Sequence, residues 1–204
     1  VILPGTKSTL SDLRWLRQSG LEPAIQRLAA GGTPVIGICG GYQMLGEHLS
    51  DPEGVEGGGS MSGMGLLPVS TVFCRTKTRT QTAGTFPNCT GFYAPLSGVP
   101  LEGYEIHMGV GGGLFTLRQG VMGTYLHGLF DSGVLLHRLV VRLMEEKGLS
   151  GDAVPVPEDL WSYKQRQYDR LAAALRESLD LPAIYRILDQ GLEKEGTIQL
   201  FSTV

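Results

Sequence analysis

The chain has 204 residues, 42% of them hydrophobic, and a formal net charge of −3. That is enough chain to bury a core of ordinary domain size. It carries no basic cluster of the kind that binds nucleic acid, and no apolar run approaches membrane-spanning length.

Three cysteines, Cys39, Cys74 and Cys89, are too few and odd in number for a disulfide framework. No Cys-x-x-Cys pair suggests structural zinc. This cysteine usage implies a reducing, cytoplasmic setting.

The chain opens on Val1-Ile2-Leu3, which reads as the middle of a buried strand, and turns at Pro4-Gly5-Thr6. A buried strand at the first residue, with no methionine before it, is expected of a piece of a longer polypeptide. Ser8 or Thr9 is placed to cap a helix carrying Leu10, Leu13, Trp15 and Leu16, with Gly20 as its stop. A second helix is expected from about Pro23, with Leu21, Ile25 and Leu28 inward and Gly31-Gly32 at its end.

Val35-Ile36-Gly37-Ile38-Cys39-Gly40-Gly41-Tyr42-Gln43 follows. An apolar, β-branched run enters a cysteine bracketed by glycines, and a helix-compatible segment through Leu49 comes next, taking His48 with it. This is the composition of a nucleophile elbow, a strained strand-to-helix turn that exposes a reactive side chain at a sheet edge. A cysteine at a helix N-terminus lies among unpaired N–H groups that favour its thiolate. The strand–helix–strand–helix alternation to this point argues for a parallel sheet covered by helices.

Residues 51–65 are rich in glycine, serine and acidic residues and read as a surface loop. Leu66 to Phe73 reads as a strand entrance. Residues 75–90 suit a polar antiparallel strand or hairpin. Gly103 to Gly109 is a short strand, Gly111-Gly112-Gly113 a flexible joint, and Val121 to Gly128 another strand. An amphipathic helix is expected over about 133–147, from the stripe of Leu136, Leu139, Val140, Leu143 and Met144. A proline-rich linker covers 149–160. Helices follow over about Trp161–Leu179 and Leu181–Leu188, and the tail after Gly191 gives little signal.

A cysteine nucleophile needs a base within hydrogen-bond reach. His48 falls on the helix after the elbow, and His137 lies away from the apolar stripe of its helix. His107 and His127 lie on strands beside glycines. Sites in parallel α/β sheets form at the carboxyl ends of strands. His127, like Cys39, ends its strand, so it is the preferred base. The N–H of Gly40 is the first candidate donor to an oxyanion, and the turn at Gly5 or Thr6 could supply a second.

Leu3-Pro4-Gly5-Thr6-Lys7-Ser8-Thr9, the elbow, Gly65-Leu66-Leu67-Pro68-Val69, Gly103-Tyr104-Glu105-Ile106-His107-Met108-Gly109 and Gly123-Thr124-Tyr125-Leu126-His127-Gly128-Leu129-Phe130 together resemble the CobB/CobQ-type glutamine amidotransferase domain of cobyric acid synthases. The resemblance covers about residues 1–180. It implies a flavodoxin-like class I amidotransferase fold, a mostly parallel sheet with helices on both faces, here without its first strand and helix. Residues 1–148 would form the glutaminase domain, and 149–204 a linker and helical extension of it. Cys39 matches the family's nucleophile, His127 its histidine, and Gln43 a position that helps hold glutamine.

The implied activity is release of ammonia from glutamine for amidation of adenosylcobyrinic acid a,c-diamide in cobalamin biosynthesis. No cofactor is implied in this domain. ATP and Mg²⁺ would belong to an N-terminal synthetase domain, and no P-loop occurs in this chain. Alternatives are the same chemistry on another acceptor, cobyrinic acid or a cell-wall lipid precursor, or a non-catalytic module. Two departures stand out. Leu129 occupies the position where ordinary triad enzymes carry a glutamate, as in this branch of the family, leaving Glu105 as a candidate to orient His127. The run Val110-Gly111-Gly112-Gly113 looks shortened.

Overall fold

The computed structural model describes residues 1–190, in two compact units divided after Asp159. The expectation for the tail after Gly191 lies outside the described residues.

Unit one holds two four-stranded sheets. The first contains β1 (Ile2–Leu3), β2 (Val35–Ile38), β8 (Val121–Thr124) and β7 (Phe115–Arg118), in that order. β1, β2 and β8 run parallel, and β7 returns antiparallel to β8. Between β1 and β2 the chain makes α1 (Thr9–Gln18) and α2 (Leu21–Ala30). The short α3 (Gly40–Leu45) leaves β2 directly.

Strand alternation divides the core. Val35 and Val121 join Leu10, Leu13, Ile25 and Leu45 on one face, whereas Ile36 and Met122 join Leu135 and Leu139 on the other. The latter pair belongs to α4 (Gly133–Glu146), whose N-cap Ser132 accepts the N–H of Leu135. Helices therefore cover both faces of the parallel strands, as the alternation of elements predicts.

The second sheet, ordered β4-β3-β5-β6, joins β3 (His48–Asp51), β4 (Gly59–Ser62), β5 (Ser70–Thr85) and β6 (Pro100–Val110). β5 and β6 form the long polar hairpin expected from the threonine-rich segment, although β5 starts at Ser70 rather than Leu66.

Several local expectations need correction. Leu21 and Leu28 of α2, expected inward, are exposed, and β4 lies within the segment read as a surface loop. α3 stops at Leu45 because Gly46 is extended, with φ −68° and ψ −174°, so His48 begins β3 and is not helical. Gly111-Gly112-Gly113 is no flexible joint. A Cβ on Gly111 would lie 1.9 Å from the Ser70 carbonyl oxygen, and one on Gly112 2.2 Å from the Tyr42 hydroxyl, so the run is packed in place. Finally, neither Ser8 nor Thr9 caps α1 with its own side chain. The Leu10 N–H is instead met at 3.1 Å by the carboxylate of Glu56, from a distant loop.

Unit two contains α5 (Leu160–Ser178) and α6 (Leu181–Gln190), close to their expected spans.

Candidate active site

The elbow is built by close approach. Cys39 has φ 51° and ψ −109°, a conformation L-residues rarely adopt and one that must be held by its surroundings. Gly41 packs against the end of β1 so closely that a Cβ there would lie 2.1 Å from the Leu3 carbonyl oxygen. A Cβ on Gly40 would lie 2.4 Å from the methyl of Thr6. The glycines thus let the turn after β2 nest under the turn after β1. On the other side, the Cys39 N–H donates to the Thr124 carbonyl at 2.8 Å, tying the elbow to the end of β8.

Residues from three separate segments, the turns after β1, β2 and β8, meet here. A Cβ on Gly5 would stand 3.5 Å from Cys39 Cβ and 3.6 Å from His127 Cε1. Thiol and imidazole therefore flank one point at the carboxyl ends of β2 and β8. Cys39, His127, Gly5 and Gln43 line one cavity of about 670 Å³, a volume ample for an amino acid. Among the described residues no helix is long and apolar enough to cross a membrane. No group of three or more His, Cys, Asp or Glu side chains there is placed to hold a metal ion.

Burial pushes the Cys39 thiol up, the Gly40 N–H directed at the sulfur pulls it down, and the charge of Glu56 raises it further. The thiol donates weakly to the Ile106 carbonyl, with S···O 3.7 Å. His127 lies three residues beyond β8. A two-way backbone bridge with Tyr104 fixes it, at 2.8 and 3.1 Å, and the Tyr104 ring stacks on the imidazole at 5.0 Å and 6°. Burial, then the neighbouring His107, lower the His127 pKa. Its Nε2 is buried with no hydrogen-bond partner among the described residues.

Glu105 does not face His127 in this arrangement. It accepts from Thr82 Oγ1 at 2.9 Å and stands 3.7 Å from His107 Nε2. His107 is anchored through Nδ1 to the Gly109 carbonyl at 2.7 Å and stacks on Tyr125 at 3.9 Å. Gln43 is buried, with Thr9 Oγ1 3.2 Å from its Oε1 and the Tyr125 hydroxyl 3.4 Å from its Nε2. Gly109 makes room for it, since a Cβ there would lie 2.4 Å from Gln43 Nε2.

Sequence reasoning missed Glu56, the carboxylate that lines the cavity. Its loop reads as glycine-rich surface, and only the structure shows what holds it. Asp51, 1% exposed, accepts the N–H groups of Val55, Glu56 and Gly58 at 2.7–2.8 Å. That single knot turns Glu56 inward, where it also accepts from Thr9 Oγ1 at 3.1 Å.

The family model for the CobB/CobQ-like glutamine amidotransferase domain matches residues 1–134. The chain is 45% identical over 215 residues to a cobyric acid synthase of Ruminiclostridium cellulolyticum, covering 95% of this chain and 42% of that protein. Cobyric acid synthases of Moorella thermoacetica and Salmonella typhimurium are each 42% identical, covering 95% of this chain and 41% and 42% of theirs. The chain thus spans about two fifths of the length of these relatives. A crystal structure of a glutamine amidotransferase superposes with TM-score 0.45 at 16% identity, covering 72% of this chain and 78% of that one.

Proposed function

The chain belongs to the CobB/CobQ-like glutamine amidotransferase domain family, and from that premise we propose that it is the glutaminase part of a cobyric acid synthase. In this reading ammonia released here passes to a synthetase part of the same polypeptide. That part uses ATP and Mg²⁺ to amidate adenosylcobyrinic acid a,c-diamide in the cytoplasm. The names of the relatives favour this acceptor over cobyrinic acid or a cell-wall lipid precursor. An intact thiol and imidazole in one cavity speak against a non-catalytic module.

The observation that carries the chemistry is the meeting of Cys39, His127 and Gly5 around one point. His127 takes the thiol proton, and the sulfur attacks the side-chain carbonyl carbon of glutamine. The negative oxygen that forms is met by the Gly40 N–H, with the turn at Gly5 as the second donor. The C–N bond breaks as the imidazolium gives its proton to the departing amine, so ammonia leaves and a glutamyl thioester remains. Water, deprotonated by the same imidazole, cleaves the thioester to glutamate and restores the thiol. Gln43 shapes the cavity floor beneath the substrate.

Replacement Cys39→Ala in the intact enzyme is the direct test. Glutamine-dependent amidation is expected to vanish while amidation fed by ammonium salts survives. Loss of both would refute this division of labour.

A further inference from the structure

We propose that the ring of Tyr104 does for His127 what a carboxylate does in triad enzymes: it orients the imidazole and stabilises the positive charge gained when the thiol proton is taken. This rests on the glutaminase reading above and adds a positioning residue to it.

Among the described residues no acid is placed for that work. Leu129 occupies the position where triad enzymes carry a glutamate, Glu105 is turned to His107, and His127 Nε2 is buried without a hydrogen-bond partner. The imidazole is held by its face instead. The rings of Tyr104 and His127 lie 5.0 Å apart and within 6° of parallel. An aromatic face carries the negative part of the ring quadrupole, so a cation within about 6 Å of its centre is favoured.

The backbone builds this stack. Tyr104 and His127 exchange both N–H···O bonds, at 3.1 and 2.8 Å. Gly103 permits the approach, since a Cβ there would lie 2.1 Å from the His127 carbonyl oxygen. Two residues further along β6, the Ile106 carbonyl accepts from the Cys39 thiol, with S···O 3.7 Å. One strand thus meets both reactive side chains and sets them against each other. Tyr104 is 45% exposed, so the core gains little from its ring, and it is not among the residues lining the cavity around Cys39.

The other titratable groups around His127 are Cys39 on the elbow, His107 on β6 and, lining the same cavity, Lys7, Glu56 and Lys77. The Asp131 carboxylate lies beyond Gly128, 3.2 Å from where a Cβ on that glycine would stand. All of these stay in place when residue 104 is replaced, so a shift in the acid limb of the rate profile reports the ring itself.

The test uses the intact enzyme and reads kcat, KM and the pH profile for glutamine hydrolysis. Tyr104→Phe keeps the ring face and should keep kcat close to the wild-type value. Tyr104→Leu removes the face. It should lower kcat by about tenfold or more, the scale of loss for a misplaced catalytic group, while KM for glutamine changes little. Its acid limb should move to lower pH by about half a unit, the worth of one cation–π contact. Tyr104→pentafluorophenylalanine keeps the shape and reverses the charge of the face, so it should move the acid limb the same way, and it carries the test if Tyr104→Leu does not fold. An acid limb that stays in place in these two variants would overturn the proposal and leave the glutaminase reading intact. So would a Tyr104→Phe enzyme as impaired as Tyr104→Leu. A wild type that releases no ammonia from glutamine would overturn both.

Discussion

At the scale of single residues the site is a set of opposed charges and hydrogen-bond vacancies. The depressed pKa of His127 keeps the imidazole neutral down to below its ordinary 6.5. The raised pKa of Cys39 keeps the thiol protonated past its ordinary 9.0. Glutaminase kcat/KM is therefore expected to hold a plateau across neutral pH. Its acid limb should fall below 6.5, where the base becomes protonated. A pH–rate profile with an acid limb above that value would contradict the assignment. The sign for stability follows from the same shift. His127 binds its proton less readily folded than unfolded, so its contribution is complete above 6.5 and lost as pH falls through the lower folded value.

Glu56→Gln should also speed alkylation of Cys39 by iodoacetamide in the substrate-free enzyme, because a charge opposing the thiolate is gone. An unchanged rate would separate the two groups electrostatically. That Cys39 and His127 share one cavity was expected from the elbow's composition and from strand order, although His127 lies three residues beyond β8 rather than at the end of a strand. Glu56 was not, because its place in the cavity comes from backbone bonds to Asp51 and from bonds to the first turn of α1, neither of which leaves a periodic trace.

At the scale of elements, the limits of long segments were read better than their faces. α4 begins and ends nearly as expected, but of its expected stripe only Leu139 is buried, Leu143 is exposed, and Leu135 takes the core place instead. β3 has four residues, directly after a six-residue helix, too few for either period to declare itself. The triple glycine reads as flexible because composition alone cannot show that Ser70 and Tyr42 fill the space beside it.

Packing at this level is testable. Leu135 is fully buried under the parallel strands, and Leu135→Ala should cost about 2–5 kcal/mol in urea unfolding. Ser132→Ala, which removes the α4 cap, should cost about 0.5–2 kcal/mol in the same measurement. For Asp51 burial pushes the pKa up, but the backbone N–H groups bonded to it win and hold it below the ordinary 3.8. Its contribution is complete above that value and disappears as pH falls through the folded pKa.

At the scale of the whole molecule, the two-unit division follows from where the apolar side chains go. Leu3, Leu13, Leu45 and Leu139 are buried in the clusters of unit one, whereas neither α5 nor α6 contains a buried residue.

The contact between Gly41 and Leu3 has a consequence for biogenesis. The reactive turn takes its shape from a backbone oxygen thirty-eight positions earlier in the chain, and its imidazole is supplied eighty-eight positions later. No stretch of nascent polypeptide can assemble the nucleophile by itself, and non-local closures of this kind come late in folding. Ammonia release is therefore a readout of completed assembly, and a half-built chain leaves the cell's glutamine untouched.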